Sequence, residues 1–413
     1  MYASKRDQIM ELTATYYKEQ RPEHSFRPGL DMIPASGKTF DEQELVSLMN
    51  ASLDYSLSEG DQAARFERQL AITLGARFSL LVNSGTSANI LALSALTSPY
   101  LGARQLQPGD EVITIANKFP STIIPIMQHG LVPVFTDVTI PSYAIETELL
   151  DRMVTHRTKA VMVAHTMGNP FNIAYMKEFA DRHGLWLIED ASDALGSMYQ
   201  GQPVGSFGDL ATVSFFPGQQ ITMEEGGAVL TSSSLLKQIV ESLRDAGKAS
   251  PYANQQTGVN HSMGFQQLAA NLYGAIGLTQ LRKLAGFTRK RRENFKLLYQ
   301  ALEPLQYALH LPEETPGSEP SWLGFPVIVK EHSPIGRNEL IRSLEEGGIG
   351  TRLVFPGPSL RQFGLTAGSY RLAGPLHNTE TIRERSFWIG LHPGLTEEML
   401  SYSASAFHKI FTM

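Results

Sequence analysis

Three short stretches of this sequence carry residue types that can do chemistry together. In Asn83-Ser84-Gly85-Thr86-Ser87-Ala88-Asn89, the apolar run Ser79-Leu80-Leu81-Val82 passes through a glycine into the helical pattern Ile90-Leu91-Ala92-Leu93. Strand, turn and helix start in that order aim free backbone N–H groups and a positive dipole end at one point, where Gly85, Thr86 and Ser87 could hold a phosphate. A capped helix start without any ligand gives the same local pattern. In Ile188-Glu189-Asp190-Ala191-Ser192-Asp193-Ala194 an apolar strand delivers acids to its carboxyl end. A buried carboxylate there needs a cationic partner, and the protonated nitrogen of a bound aromatic ring would serve. The alternative is Asp190 as N-cap of the next helix. The third stretch runs from Ser214 to Ala228 and contains Gln219 and Glu224.

These residues need a scaffold that brings them to one edge. From about residue 60 to 285, helical stretches alternate with β-branched runs at 111–116, 132–138, 160–165, 185–190, 211–216 and 227–231. Such alternation predicts a mainly parallel sheet covered by helices on both faces. His165, Asp190 and Ser214 then lie at carboxyl ends of strands, where open α/β sheets bind ligands. Residues 5–20 read as an amphipathic helix, and the Pro-rich segment up to residue 35 as an arm. Pro304 to Pro320 reads as a second connector. The expected division is an arm over 1–35, a large ligand-binding domain over 36–290 and a smaller α+β domain over 291–413.

At 413 residues the chain can enclose a deep site. Charged residues make up 18%, hydrophobic residues 42%, and the net charge of −6 is spread without a basic run, which argues against a nucleic-acid partner. No run of about 18 apolar residues suggests a membrane span, and the N-terminus lacks a secretory apolar core, so a cytoplasmic protein is expected. The chain has no cysteine, which excludes thiol nucleophiles and cysteine-ligated iron–sulfur clusters.

Taken in order, the three motifs resemble the DegT, DnrJ, EryC1 and StrS family of sugar aminotransferases and dehydratases, over nearly the whole chain. The resemblance is closest to the CDP-4-keto-6-deoxyglucose 3-dehydrase branch, through stretches such as Pro34-Ala35-Ser36-Gly37-Lys38, Ala164-His165-Thr166-Met167-Gly168-Asn169 and Gly350-Thr351-Arg352-Leu353. It implies the fold of aspartate aminotransferase, fold type I, with pyridoxal 5′-phosphate or pyridoxamine 5′-phosphate as cofactor. Family roles carried to matching positions put Gly85, Thr86, Ser87 and Ser214 at the phosphate, Phe119 on the ring face and Asp190 at the ring nitrogen. Asp193 falls near the ring hydroxyl. Gln266 falls where the family reaches a neighbouring subunit's phosphate, implying a homodimer. Arg352 and Glu224 fall in the substrate pocket.

The sequence departs from the family at its reactive centre. Where the aminotransferases carry a Schiff-base lysine, and the 3-dehydrase branch a histidine, this chain has Gln219. An amide neither forms a Schiff base nor takes a proton near neutral pH. The region of 247–262, where the best-studied 3-dehydrase binds a two-iron cluster, lacks cysteine. Glu224 replaces a glycine of the relatives, and Pro358 an asparagine of the dehydrase branch. Lys118, His165, Asp193 and Glu224 are candidates for a substitute base, with Lys118 as a solvated surface lysine and His165 as a structural residue the alternatives.

The resemblance thus implies an enzyme acting on a nucleotide-linked 4-keto-6-deoxy hexose, CDP-linked by analogy, in a C3 dehydration or deoxygenation step. An isomerisation or epimerisation of the same substrate class is one alternative, and a cofactor-binding partner without catalysis another.

Overall fold

The computed structural model describes residues 4–21, 25–55, 57, 60–116, 120–247, 264–354 and 368–412. Lys118, Phe119, Pro358 and all but Gly247 of the 247–262 stretch lie outside the described residues.

The β-branched runs form the strands Phe78–Val82, Glu111–Ile115, Val132–Thr136, Thr158–Ala164, Trp186–Asp190, Leu210–Ser214 and Gly227–Thr231. With Arg371–Leu372 they make one eight-stranded sheet. Its order is Phe78–Val82, Gly227–Thr231, Leu210–Ser214, Trp186–Asp190, Thr158–Ala164, Glu111–Ile115, Val132–Thr136 and Arg371–Leu372. Gly227–Thr231 runs against both of its neighbours, and the remaining pairs are parallel.

Side chains alternate across this sheet with the period of two that a pleated strand imposes. Leu81, Ile113, Val161, Val163, Leu187 and Val213 enter one apolar core. Leu80, Val82, Val112, Met162, Ile188 and Val229 enter another, which also holds Leu91 of the helix Gly85–Leu96 and Leu236 of Ser234–Arg244. The consecutive acids Glu189 and Asp190 therefore leave their strand on opposite faces.

A second, four-stranded antiparallel sheet is built from Leu309–His310, Phe325–Val329, Ser386–Ile389 and Thr351–Arg352. The helix Asn271–Leu302 runs between the two sheets. Its Leu281, Leu284, Leu298 and Leu302 share one core with Phe66, Val213, Phe325 and Phe407. Residue 290 lies inside this helix, so the large and small parts are joined by a rigid element and not by a loop. The first helix spans Lys5–Gln20 and is started by a Ser4–Asp7 capping box, but none of its residues is buried. Met10, Thr13, Ala14 and Tyr17, along one side of it, are half-buried where it packs on the helix Glu42–Leu53, whereas Ile9, Leu12 and Tyr16 are exposed. Among the described residues no helix is long and apolar enough to cross a membrane.

Candidate active site

A cavity of about 560 Å³ opens at the carboxyl ends of the central strands. Gly85, Thr86, Asn89, Ser121, Asp190, Asp193, Ser214, Gln219 and Arg352 are among its lining residues. Of the residues expected from the sequence, seven of those meet here.

One wall is a helix start. Ser84 caps Gly85–Leu96 by accepting from the Ser87 amide at 3.1 Å, which leaves the first turn's remaining N–H groups facing the cavity end. Gly85 allows the helix to approach the Leu210–Ser214 strand, since a Cβ there would sit 2.6 Å from the Ser214 Cβ and 2.7 Å from its hydroxyl. The cradle of main-chain amides, the Thr86 hydroxyl and the Ser214 hydroxyl suits a phosphate. Asp190 is 1% exposed; its Oδ2 accepts from the Thr122 hydroxyl at 2.6 Å and its Oδ1 from the Ser192 amide at 3.2 Å. That carboxylate suits the protonated nitrogen of a pyridine ring. Together the cradle and Asp190 fit a pyridoxal-type cofactor. Asn89, to which the motif Asn83–Asn89 alone assigns no task, is buried beside them, donating to the Ser121 carbonyl at 3.1 Å and accepting from Thr212 at 2.6 Å. It locks the helix to its neighbouring elements.

The other wall carries the departures. Gly218, at φ +102°, turns the chain so that Gln219 reaches the cavity, where its Nε2 donates to Asp193 Oδ1 at 3.3 Å. Gln220 donates to the Asp193 and Ser321 carbonyls. The amide oxygens of both glutamines are buried and lack a hydrogen-bond partner among the described residues. Among the described residues no lysine lines the cavity.

Four expected site residues lie elsewhere. His165 is fully buried, stacked on Phe171 at 4.2 Å, with its Nε2 3.1 Å from Glu189. Glu189 also accepts from the amides of Gly205, Phe207 and Gly208 at 3.0, 2.8 and 2.7 Å. Burial pushes the Glu189 carboxyl up, but His165 and the Gly208 and Gly205 amides outweigh it and hold the group below the usual carboxylate range. His165 follows its strand on the face away from the cavity, which is why a residue at a strand end misses the site. Ser87 is absorbed in the helix cap, its hydroxyl 3.0 Å from that of Ser84. Gln266 is exposed and bridges through its backbone to Asp245.

Glu224 also leaves the cavity. Both of its carboxylate oxygens stand 2.7 Å from the Lys38 ammonium. Its φ of +72° is a left-handed conformation that costs a residue with a Cβ about 1–2 kcal/mol. The Glu224 and Lys38 side chains are 44% and 46% exposed, and a pair so placed contributes about 0–1 kcal/mol. The ion pair therefore does not offset the strain at Glu224.

Comparison with known proteins agrees with this architecture. The chain is 44% identical to the lipopolysaccharide biosynthesis protein RfbH of Salmonella typhimurium, over 98% of each chain. It is 41% identical to the dTDP-4-dehydro-2,6-dideoxy-D-glucose 3-dehydratase of Saccharopolyspora spinosa, covering 97% of this chain and 91% of that one. Among solved structures, it is similar to E. coli GDP-4-keto-6-deoxy-D-mannose-3-dehydratase with bound hydrated PLP, with a TM-score of 0.85 and 26% identity over 91% of this chain and 99% of that one. The sequence pattern of the DegT/DnrJ/EryC1/StrS aminotransferase family matches residues 39–407, and the chain belongs to that family.

Proposed function

We propose that this chain binds pyridoxamine or pyridoxal phosphate without a covalent link and acts on a nucleotide-linked 4-keto-6-deoxy hexose, removing its C3 hydroxyl. The observation that carries the reading is the pairing of a complete cofactor cradle, Gly85, Thr86, Ser214 and Asp190, with Gln219 in place of the linking lysine. The relatives named as 3-dehydratases support the substrate class. When bound, the pyridoxamine form would supply an amine to join the sugar's ketone and a ring that accepts electrons.

The chain's own residues then have distinct tasks. Thr86, Ser214 and the helix start hold the phosphate, and Asp190 keeps a proton on the ring nitrogen. Gln219 cannot move a proton, and the carboxylate in contact with it is Asp193. Asp193 is the group proposed to take the proton that the family's lysine or histidine takes. A homodimer completes the proposal: Ile9, Leu12 and Tyr16 of the first helix and Leu30 and Met32 of the arm are exposed apolar side chains, a surface that a second copy would cover.

The test is Gln219→Lys. Pyridoxal phosphate should leave the wild type on gel filtration even after borohydride, whereas the variant should retain a reduced label on residue 219. A label fixed on any lysine of the wild type, Lys118 included, or none on the folded variant, would overturn the noncovalent reading. With pyridoxamine phosphate and a panel of nucleotide 4-keto sugars, the product should lack one oxygen atom and ammonia should be released; an isomer of unchanged mass would favour rearrangement.

A further inference from the structure

The strained residue Glu224 sits on the cavity's rim. Its neighbour Glu225 lines the cavity, and so does Ser36, two residues before Lys38. The two segments are already tied without the ion pair. Gln280 accepts from the Thr222 amide at 3.3 Å and donates to the Thr39 carbonyl at 3.1 Å and to Glu44 at 2.8 Å. On the other side, Gly37 packs on His392, whose Nε2 is 3.2 Å from the Pro34 carbonyl. Holding the rim together is thus done by other contacts, and the left-handed backbone at Glu224 is not offset by its ion pair. Strain retained beside a ligand cavity points to a task for the side chain.

What the pair does change is charge. Arg352 lines the cavity without an ion-pair partner among the described residues, and Lys38 follows two residues after the lining Ser36. Glu224 spends both carboxylate oxygens on Lys38 and cancels its charge. The geometry points to Glu224 as a positioning residue that acts through Lys38: it competes with a ligand's anionic end for the ammonium, and so lowers the affinity of the cavity mouth for a diphosphate. The inference rests on the nucleotide-linked ligand proposed above. A mouth that holds the diphosphate through Arg352 but keeps Lys38 occupied releases nucleotide product more readily.

The experiment is calorimetric titration of the cofactor-loaded chain with CDP, dTDP, GDP and inorganic pyrophosphate, at low and at moderate salt. Glu224→Gln removes the charge and keeps the side chain; it should bind the nucleoside diphosphate and pyrophosphate roughly five- to tenfold more tightly, as expected for one unit charge at a wet rim. The gain should shrink with salt. Glu224→Asp should restore wild-type affinity, and Lys38→Met combined with Glu224→Gln should abolish the gain, which a merely structural role would not do. If nucleotides bind the wild type while Glu224→Gln changes neither nucleotide nor pyrophosphate affinity, the inference is wrong and the nucleotide reading stands. If pyrophosphate tightens as expected but no nucleoside diphosphate binds any form, the charge competition stands and the nucleotide reading falls. Failure of every anion to bind every form overturns both.

Discussion

Glu189 and Asp190 are adjacent carboxylates on one strand, yet they live in opposite surroundings. Glu189 faces the large core, where three backbone amides and His165 satisfy it completely. Asp190 faces the cavity and is held there by Thr122 and the Ser192 amide. The pleat alone separates them. One acid is part of what keeps the sheet folded, the other lines the cavity, and composition cannot tell the two apart.

The largest effect expected from this contrast is on the core side. Glu189→Ala leaves three amides and the His165 imidazole without their acceptor, and should cost about 3–5 kcal/mol in urea denaturation. His165→Ala should behave likewise. A His165→Ala protein as stable as the wild type that has lost turnover would break the comparison and return His165 to the catalytic machinery.

Asp190→Asn should do the reverse. Removing the charge beside the ring nitrogen should weaken pyridoxal phosphate binding about 100-fold, equivalent to roughly 2.7 kcal/mol. The melting temperature without cofactor should hardly move. Fluorescence titration of the cofactor beside a thermal melt checks both halves, and equal affinity in the two proteins would remove Asp190 from the site.

A smaller effect sharpens the comparison through a second buried imidazole. His392 has a carbonyl for a partner where His165 has a carboxylate, and burial, helped by the nearby Arg291 charge, pushes it down to about 4. The folded state therefore disfavours the proton that the unfolded chain accepts near pH 6.5. Stability from this residue is fully present above that pH and is lost as pH falls from about 6.5 toward 4. The wild type should lose about 2–3 kcal/mol more than His392→Gln across that window. Parallel pH profiles of the two proteins would show that His392 is solvated.

Much of this arrangement was legible in the sequence because the period of two and the glycine-containing turn are local signals. The run Gly227–Thr231 was read to the residue, and the helix at 5–20 likewise. Gln219 was placed at the cavity by the resemblance, as the counterpart of the family's lysine in the stretch that begins at Ser214. What escaped is set by partners far away. Glu224 meets Lys38 across 186 positions, and nothing near either residue announces the pair. His165 looked like a site residue because it ends a strand, but a single step of register decides which face receives it. Asn89 was visible only as a polar residue in a helix until the Thr212 and Ser121 contacts gave it a task.

The two-residue strand Arg371–Leu372 has a consequence for how the chain is made. It pairs with Val134 and Phe135 and closes an edge of the large sheet that is otherwise complete by Thr231. Arg371 also donates to the buried Glu111 at 2.9 and 3.1 Å. During synthesis the sheet's other strands leave the ribosome long before their cover does. In that interval the Val132–Thr136 edge offers unpaired amides and carbonyls to any extended chain nearby, and Glu111 has Arg157 but not yet Arg371 as a counter-charge. Nascent chains arrested before residue 371 are therefore the form of this protein most in need of a chaperone.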